Sequence, residues 1–67
     1  MEKLTKRELQ IAELVSEGLT NRAIAERLFL STHTIKAVLE QIYFKLKLHN
    51  RVQLAVYFLK NRNTRQQ

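Results

Sequence analysis

The sequence contains no cysteine, which excludes disulfide bonds, thiolate metal sites and thiol nucleophiles together. It also lacks a long apolar run. The longest unbroken apolar stretch, residues 54–59, is far shorter than the roughly 20 residues that a membrane-spanning helix needs. Met1 is followed by charged residues rather than by the apolar segment of a secretory signal. These features predict a soluble intracellular protein.

Proline is absent and Gly18 is the only glycine, so little in the chain interrupts helices. Apolar residues recur at intervals of three and four, which indicates an all-α fold. A chain of 67 residues has room for one domain, which buries only about 60% of the surface that its unfolded form exposes. We predict a single domain over residues 1–67, with an ordered core at about 4–60 and a frayed polar tail at 61–67. An enzyme is not expected, and no cofactor or metal site is predicted.

Acidic residues are scarce in the second half of the chain. Residues 1–30 carry five basic and five acidic side chains, whereas residues 31–67 carry seven basic ones and a single acid, Glu40. The whole net charge of +6 therefore lies in the second half. A polyanion is the natural partner of such a surface, although small intracellular proteins are also basic merely for solubility.

Four helices can be placed from their capping residues. Thr5 and Glu8 have the spacing of a capping box, and Gly18 is suited to end the helix that they begin. The later helices are capped by Thr20, by Ser31 or Thr32, and by Asn50. Only Phe29 and Leu30 separate the second helix from the third, which is the pattern of a helix-turn-helix, a motif used mainly to place its second helix in the DNA major groove.

The third helix has two distinct faces. Its apolar residues are spaced by three, one, three and four, so they form one buried stripe. The stripe consists of Ile35, Val38, Leu39, Ile42 and Leu46. The opposite face consists of Lys36, Ala37, Glu40, Gln41 and Phe44, and it is the candidate DNA-reading surface.

The fourth helix carries more apolar surface than one core contact can use. Besides a core-facing side, it has a second apolar side formed by Val52, Val56 and Leu59. We predict a homodimer in which this helix packs on its symmetry mate. The alternative is that another part of a longer chain covers the same residues.

Short segments along the chain, taken together, resemble the DNA-binding domain of LuxR/FixJ/GerE-type bacterial transcription regulators. The resemblance spans roughly residues 4–59 and rests on the order and spacing of all the segments. They are LTxRE (residues 4–8), GLTNR (18–22), IA (24–25), Leu28, Ser31, TIK (34–36), IxxKL (42–46) and Arg51. It implies a four-helix domain whose third helix reads DNA and whose fourth mediates dimerisation, and it is compatible with a stand-alone regulator or with one domain of a longer regulator.

Residue roles follow from the resemblance and, for Ala37, Glu40, Gln41 and His33, from their positions on the third helix. Base contacts are expected from Lys36, Ala37, Glu40 and Gln41, where Lys36 can bond phosphate or guanine, and Glu40 can accept from cytosine or act against wrong sites. Phosphate contacts are expected from Thr20, Asn21, His33, Thr34 and Lys45, although Thr20 can equally be a helix cap and Lys45 a solvated lysine. Glu8 and Arg51 are expected to form a structural ion pair between the first and fourth helices.

The predicted function is a sequence-specific transcription regulator that binds an approximately palindromic DNA site as a homodimer. Its place would be the bacterial cytoplasm, at the nucleoid. The alternative is a helical protein-interaction module that docks on an acidic protein, such as a subunit of RNA polymerase.

Overall fold

The computed structural model describes the backbone of residues 4–66 and the side chains of residues 4–61. The chain forms four α-helices: α1 (Lys6–Ser16), α2 (Asn21–Leu28), α3 (Thr32–Leu46) and α4 (Arg51–Gln66). The described residues contain no strand, and the predicted all-α fold is confirmed. The helical backbone of α4 continues past residue 60, where the ordered core was predicted to end, and Gln67 lies outside the described residues.

The helix starts follow the capping pattern in the sequence. Thr5 Oγ1 accepts a hydrogen bond from the Glu8 amide at 3.1 Å, and Glu8 Oε1 accepts one from the Thr5 amide at 2.8 Å, which completes the capping box of α1. Asn50 Oδ1 accepts from the Gln53 amide at 2.9 Å, and Gln53 Oε1 accepts from the His49 amide at 2.7 Å. At the start of α1 and of α4, one amide in the first turn and one before the helix are thus satisfied by side chains close in sequence.

Three helices end at a residue with positive φ. Gly18, with φ of 94°, follows α1, and there the Leu19 amide donates to the Leu14 carbonyl at 3.2 Å. Phe29 (φ 60°) and Lys47 (φ 59°) end α2 and α3 in the same conformation without the freedom of glycine. The residue after each of these three turns is a leucine that packs against the core: Leu19, Leu30 and Leu48. Burial of that leucine favours the left-handed turn.

Helix α1 lies at the centre of the domain and contacts the other three helices, while α2 also packs against α3. The buried core draws on every helix. Its members are Ile11, Ala12, Leu14, Val15, Ile24, Ala25, Ile35, Leu39, Ile42 and Leu54. With α1 in the centre, one face of α3 and one side of α4 remain at the surface.

The predicted ion pair between Glu8 and Arg51 is wrong. Glu8 is buried and its Oε1 lies 2.7 Å from Nζ of Lys45, so the carboxylate joins α1 to the last turn of α3. Arg51, the first residue of α4, lies beside the turn between α1 and α2 instead. Its guanidinium donates to the Leu19 carbonyl at 2.7 Å and to Asn21 Oδ1 at 2.8 Å. The packing of the helices, rather than charge complementarity alone, selects the partners.

The charge state of Glu8 reflects this environment. Burial by itself would raise the pKa of the carboxyl, because it disfavours the ionised form. Hydrogen bonds from Lys45 and Thr5, together with the charge of Lys45, outweigh burial and hold the pKa of Glu8 below its ordinary value. The buried carboxylate is therefore ionised at neutral pH and paired.

Candidate nucleic-acid interface

Helices α2 and α3 form a tight pair joined by residues 29–31. Thr20 caps α2, because its Oγ1 accepts from the Ala23 amide at 3.1 Å, and Ser31 caps α3, because its Oγ accepts from the Thr34 amide at 3.0 Å. Of the two caps predicted for the third helix, Ser31 rather than Thr32 has this role. The pair has the helix-turn-helix arrangement expected from the sequence.

The outer face of α3 is exposed along its length. Lys36 is exposed near the start of the helix, and the side chains that follow on the same face line a shallow, open depression. The depression is lined by Ala37, Glu40, Gln41, Phe44 and Lys45. The opposite face is buried in the core through Ile35, Leu39 and Ile42. All four residues predicted to contact bases therefore lie together on one exposed helix face.

Asn21 is oriented by its neighbour. It is the first residue of α2, is half-buried, and accepts a hydrogen bond from Arg51 Nη1 through Oδ1. A guanidinium can only donate, so this bond fixes which end of the Asn21 amide is the oxygen. The NH₂ group then points away from Arg51, and both of its hydrogens are donors suited to a phosphate. Thr20 is exposed beside it.

The first turn of α3 brings together two further residues predicted to contact phosphate. His33 is exposed, and Thr34 is half-buried with its Oγ1 3.0 Å from Oγ of Ser31. Because either hydroxyl can donate in this pair, one hydroxyl hydrogen remains for an outside acceptor. Free helical amides at this end also favour an anion.

Lys45 differs from the other predicted phosphate contacts. Its ammonium is bonded to Glu8, and its side chain is 24% exposed. An ammonium has three donors, so the bond to Glu8 leaves two for a phosphate that lies within reach of the same position. Lys47 is exposed and His49 lies near it, and with Phe44 they line a second depression beyond the end of the reading face. The sequence assigns no role to Lys47, because it lies beyond the last helical residue of α3.

A second exposed surface lies on α4. Val52, Val56 and Leu59, spaced by four and three, are between 44% and 68% exposed, and Tyr57 is exposed beside them. Leu54 on the other side is fully buried. The two-sided apolar character predicted for the fourth helix is thus present, with one side in the core and the other at the surface.

The side chains of residues 4–61 include no cluster of three or more His, Cys, Asp or Glu residues positioned to hold a metal ion. None of the helices within the described part of the chain is both long enough and apolar enough to cross a membrane.

Comparison with known proteins identifies the family. The GerE model, described as bacterial regulatory proteins of the luxR family, matches residues 2–58. The transcriptional regulatory protein LiaR of Bacillus subtilis is 47% identical over 60 residues, covering 90% of this chain and 28% of LiaR. The oxygen regulatory protein NreC of Staphylococcus carnosus is 42% identical over 59 residues, covering 88% of this chain and 27% of NreC.

A third relative, the putative HTH-type transcriptional regulator Mb0914c of Mycobacterium bovis, is 51% identical over 51 residues, which are 76% of this chain and 6% of that protein. The chain spans less than a third of the length of each of these relatives. The family match, by contrast, extends over most of the chain and leaves out Met1 and residues 59–67. The chain belongs to the luxR family of bacterial regulatory proteins, as a helix-turn-helix DNA-binding domain of the transcription-regulator type.

Proposed function

We propose that this domain binds double-stranded DNA sequence-specifically as a homodimer, with α3 of each copy in the major groove of one half of an approximately palindromic site. The observation that carries the proposal is the outer face of α3, where the residues expected to read bases are all exposed on one surface. A helix of this kind fits the major groove, which is about 12 Å wide. The positive net charge of +6 favours DNA as the partner.

Within the groove, each reading residue has a distinct chemical preference. Lys36 donates to guanine O6 and N7 or to a phosphate, and Gln41 pairs with the N6 and N7 edge of adenine. Ala37 packs on a thymine methyl. Glu40 accepts from cytosine N4 and repels phosphates at wrong sites. The depression that Ala37, Glu40 and Gln41 share gives these contacts a common surface.

Phosphate contacts hold the helix in register. The hydroxyls of Thr20 and Thr34, the Asn21 amide and the His33 ring are placed at the first turns of α2 and α3, where free amides also attract anions. Lys45 is a further phosphate donor, because its ammonium keeps donors besides the one that is bonded to Glu8. These contacts supply much of the affinity and make it fall steeply with salt.

Dimerisation uses the exposed side of α4. Two copies related by a twofold axis would bury Val52, Val56 and Leu59 of each against the other. Coverage by another part of a longer chain is the competing role of this surface. The domain would act in the bacterial cytoplasm, at the nucleoid, with RNA polymerase as a further candidate partner.

The alternative function is a protein-interaction module, and a salt titration separates the two. Binding of the domain to random and promoter-derived duplexes is measured by fluorescence anisotropy at a series of salt concentrations. If no duplex binds below about 100 μM at low salt, the DNA function is wrong, because even non-specific association is usually tighter. Lys36→Ala should weaken binding by about 1–3 kcal/mol per half-site. Lys6→Ala, at an exposed lysine on α1, is the matched control and should bind like the unmodified protein.

The dimer is tested separately by sedimentation. Val56→Asp should give a monomer, because it places a charge in the centre of the proposed interface. Leu9→Asp is the control, since Leu9 is 46% exposed on α1 and lies outside that interface. A sedimentation profile unchanged by Val56→Asp would remove α4 as the dimer contact.

A further inference from the structure

Phe44 is an unusual member of the outer face of α3. Its side chain is 84% exposed, so the ring contributes little to the folded core. It follows Ala37 by seven residues and Glu40 by four, which places the three in one row along the helix. The ring also lines the depression formed by Ala37, Glu40 and Gln41. Phe44 thus belongs to the reading face by position and has no evident role in stabilising the fold.

The chemistry of the ring limits what it can read. Phenylalanine has no hydrogen-bond donor or acceptor, and the apolar group that the major groove displays is the C5-methyl of thymine. On its other side Phe44 borders a second depression, which includes Lys47 and His49. Lys47 is suited to contact the sugar-phosphate backbone. Phe44 therefore lies between the base-reading side chains and the positively charged C-terminal end of α3.

We propose that Phe44 is a specificity-determining residue that contacts a thymine methyl in each half-site. Seven residues of helix separate it from Ala37 by about 10 Å, since each residue rises 1.5 Å. Because the groove is inclined to the duplex axis, a distance of about 10 Å along it spans at most about three base-pair steps of 3.4 Å. The thymine read by Phe44 would lie within that distance of the base opposite Ala37. The inference rests on the proposed function, because it requires α3 to occupy the major groove.

The test removes the methyl without changing any hydrogen-bonding group. A bound site is first selected from a random duplex library with the unmodified protein. Each thymine of the site is then replaced by deoxyuridine, one symmetric pair at a time, and binding is measured by anisotropy. The pair that Phe44 contacts should weaken binding about fourfold per half-site, the effect of losing one buried methyl-sized group, whereas a pair read by Ala37 should respond alike in the unmodified protein and in Phe44→Ala. Phe44→Ala should bind equally the thymine and deoxyuridine versions of the pair that Phe44 contacts.

Two variants serve as controls. Phe44→Leu keeps an apolar contact and should retain part of the discrimination. Phe29→Ala removes an even more exposed phenylalanine from the turn before α3 and should leave the discrimination unchanged. Thermal unfolding followed by circular dichroism confirms that all variants are folded.

Two results would overturn the assignment. In one, Phe44→Ala keeps the sensitivity of the unmodified protein at every thymine. In the other, it weakens binding to all duplexes equally, as loss of a sugar contact would. Failure of the unmodified protein to bind any duplex is a different outcome, since it refutes the proposed function itself.

Discussion

Replacing Lys45 by methionine should destabilise the domain by about 2–3 kcal/mol. The change leaves the Glu8 carboxylate without its cation, and the Glu8 side chain is only 5% exposed. Removing one partner of a fully buried ion pair costs about 3–5 kcal/mol. The expected cost is lower here, because the Thr5 amide still donates to Glu8 and the 24% exposure of Lys45 shows that water reaches the site. For a domain of this size the melting temperature should fall by about 10–20 °C.

Replacing the other partner of the pair, Glu8, should cost much less stability. In Glu8→Gln the side-chain oxygen still accepts from the Thr5 amide, and Lys45 can turn its ammonium toward water, so the loss should be about 1 kcal/mol. The double variant, Glu8→Gln with Lys45→Met, has no buried charge at this position. It should therefore recover most of the stability lost in Lys45→Met alone.

The pH dependence gives a second measure of the same pair. The pKa of Glu8 in the fold lies below its ordinary value of 4.5, so its contribution to stability is fully present above that pH and is lost as the pH falls through the folded-state pKa. Without Lys45 the folded-state pKa of Glu8 rises. The difference in stability between the unmodified protein and Lys45→Met should therefore shrink as the pH is lowered.

Urea denaturation followed by circular dichroism, at neutral pH and at several acidic values, measures all four proteins of this cycle. Equal losses in Glu8→Gln and Lys45→Met would refute the buried-carboxylate reasoning. Simple additivity in the double variant would show that the two side chains do not interact in solution.

The other predictions concern helix ends and the Arg51 contacts. Phe29→Gly should raise the free energy of unfolding by about 1 kcal/mol, because it relieves a positive φ of 60° at a side chain that is 94% exposed. Gly18→Ala should lower it by about the same amount through the backbone alone, since an added Cβ meets no atom within 4 Å. A less stable Phe29→Gly in urea denaturation would contradict the strain argument. Asn21→Asp should keep or raise stability, because Arg51 retains an acceptor and α2 gains an acid in its first turn, yet weaken DNA binding, because a carboxylate repels phosphate. Unchanged affinity in an anisotropy titration would remove Asn21 from the phosphate contacts. Arg51→Leu should cost about 1–3 kcal/mol in calorimetry by leaving the Leu19 carbonyl without its donor, and an unaltered melting temperature would contradict this.

Features set by neighbours in sequence could be predicted. The capping box of Thr5 and Glu8 and the cap of Asn50 follow from residues three apart, and the structure contains both. The two faces of α3 follow from helical periodicity, and the predicted stripe and reading face lie on opposite sides. The family resemblance, which rests on the same ordered segments, is confirmed by the match over residues 2–58.

Features that depend on contacts between residues distant in sequence could not be predicted. Glu8 and Lys45 are 37 residues apart, and only the way α1 and α3 cross decides that Lys45 rather than Arg51 reaches the carboxylate. Helices α2 and α3 end in the left-handed conformation at Phe29 and Lys47, so no glycine marks these ends in the sequence. Burial of the next leucine, rather than the local preference of the residue, favours the conformation. For the same reason, the sequence does not show that Lys45, a predicted phosphate contact, also binds this buried acid.

The position of Arg51 at the start of α4 has a consequence for the length of the DNA site. Its hydrogen bonds to Leu19 and Asn21 fix the base of α4 to the first residue of α2, so the side of α4 proposed for dimerisation and the reading helix belong to one rigid body. In the proposed dimer, the separation of the two reading helices is then set by α4 packing and not by a flexible linker. The protein would therefore require a fixed spacing between the two half-sites. Inserting one base pair at the centre of the site would turn one half about 35° out of alignment, given about ten base pairs per turn.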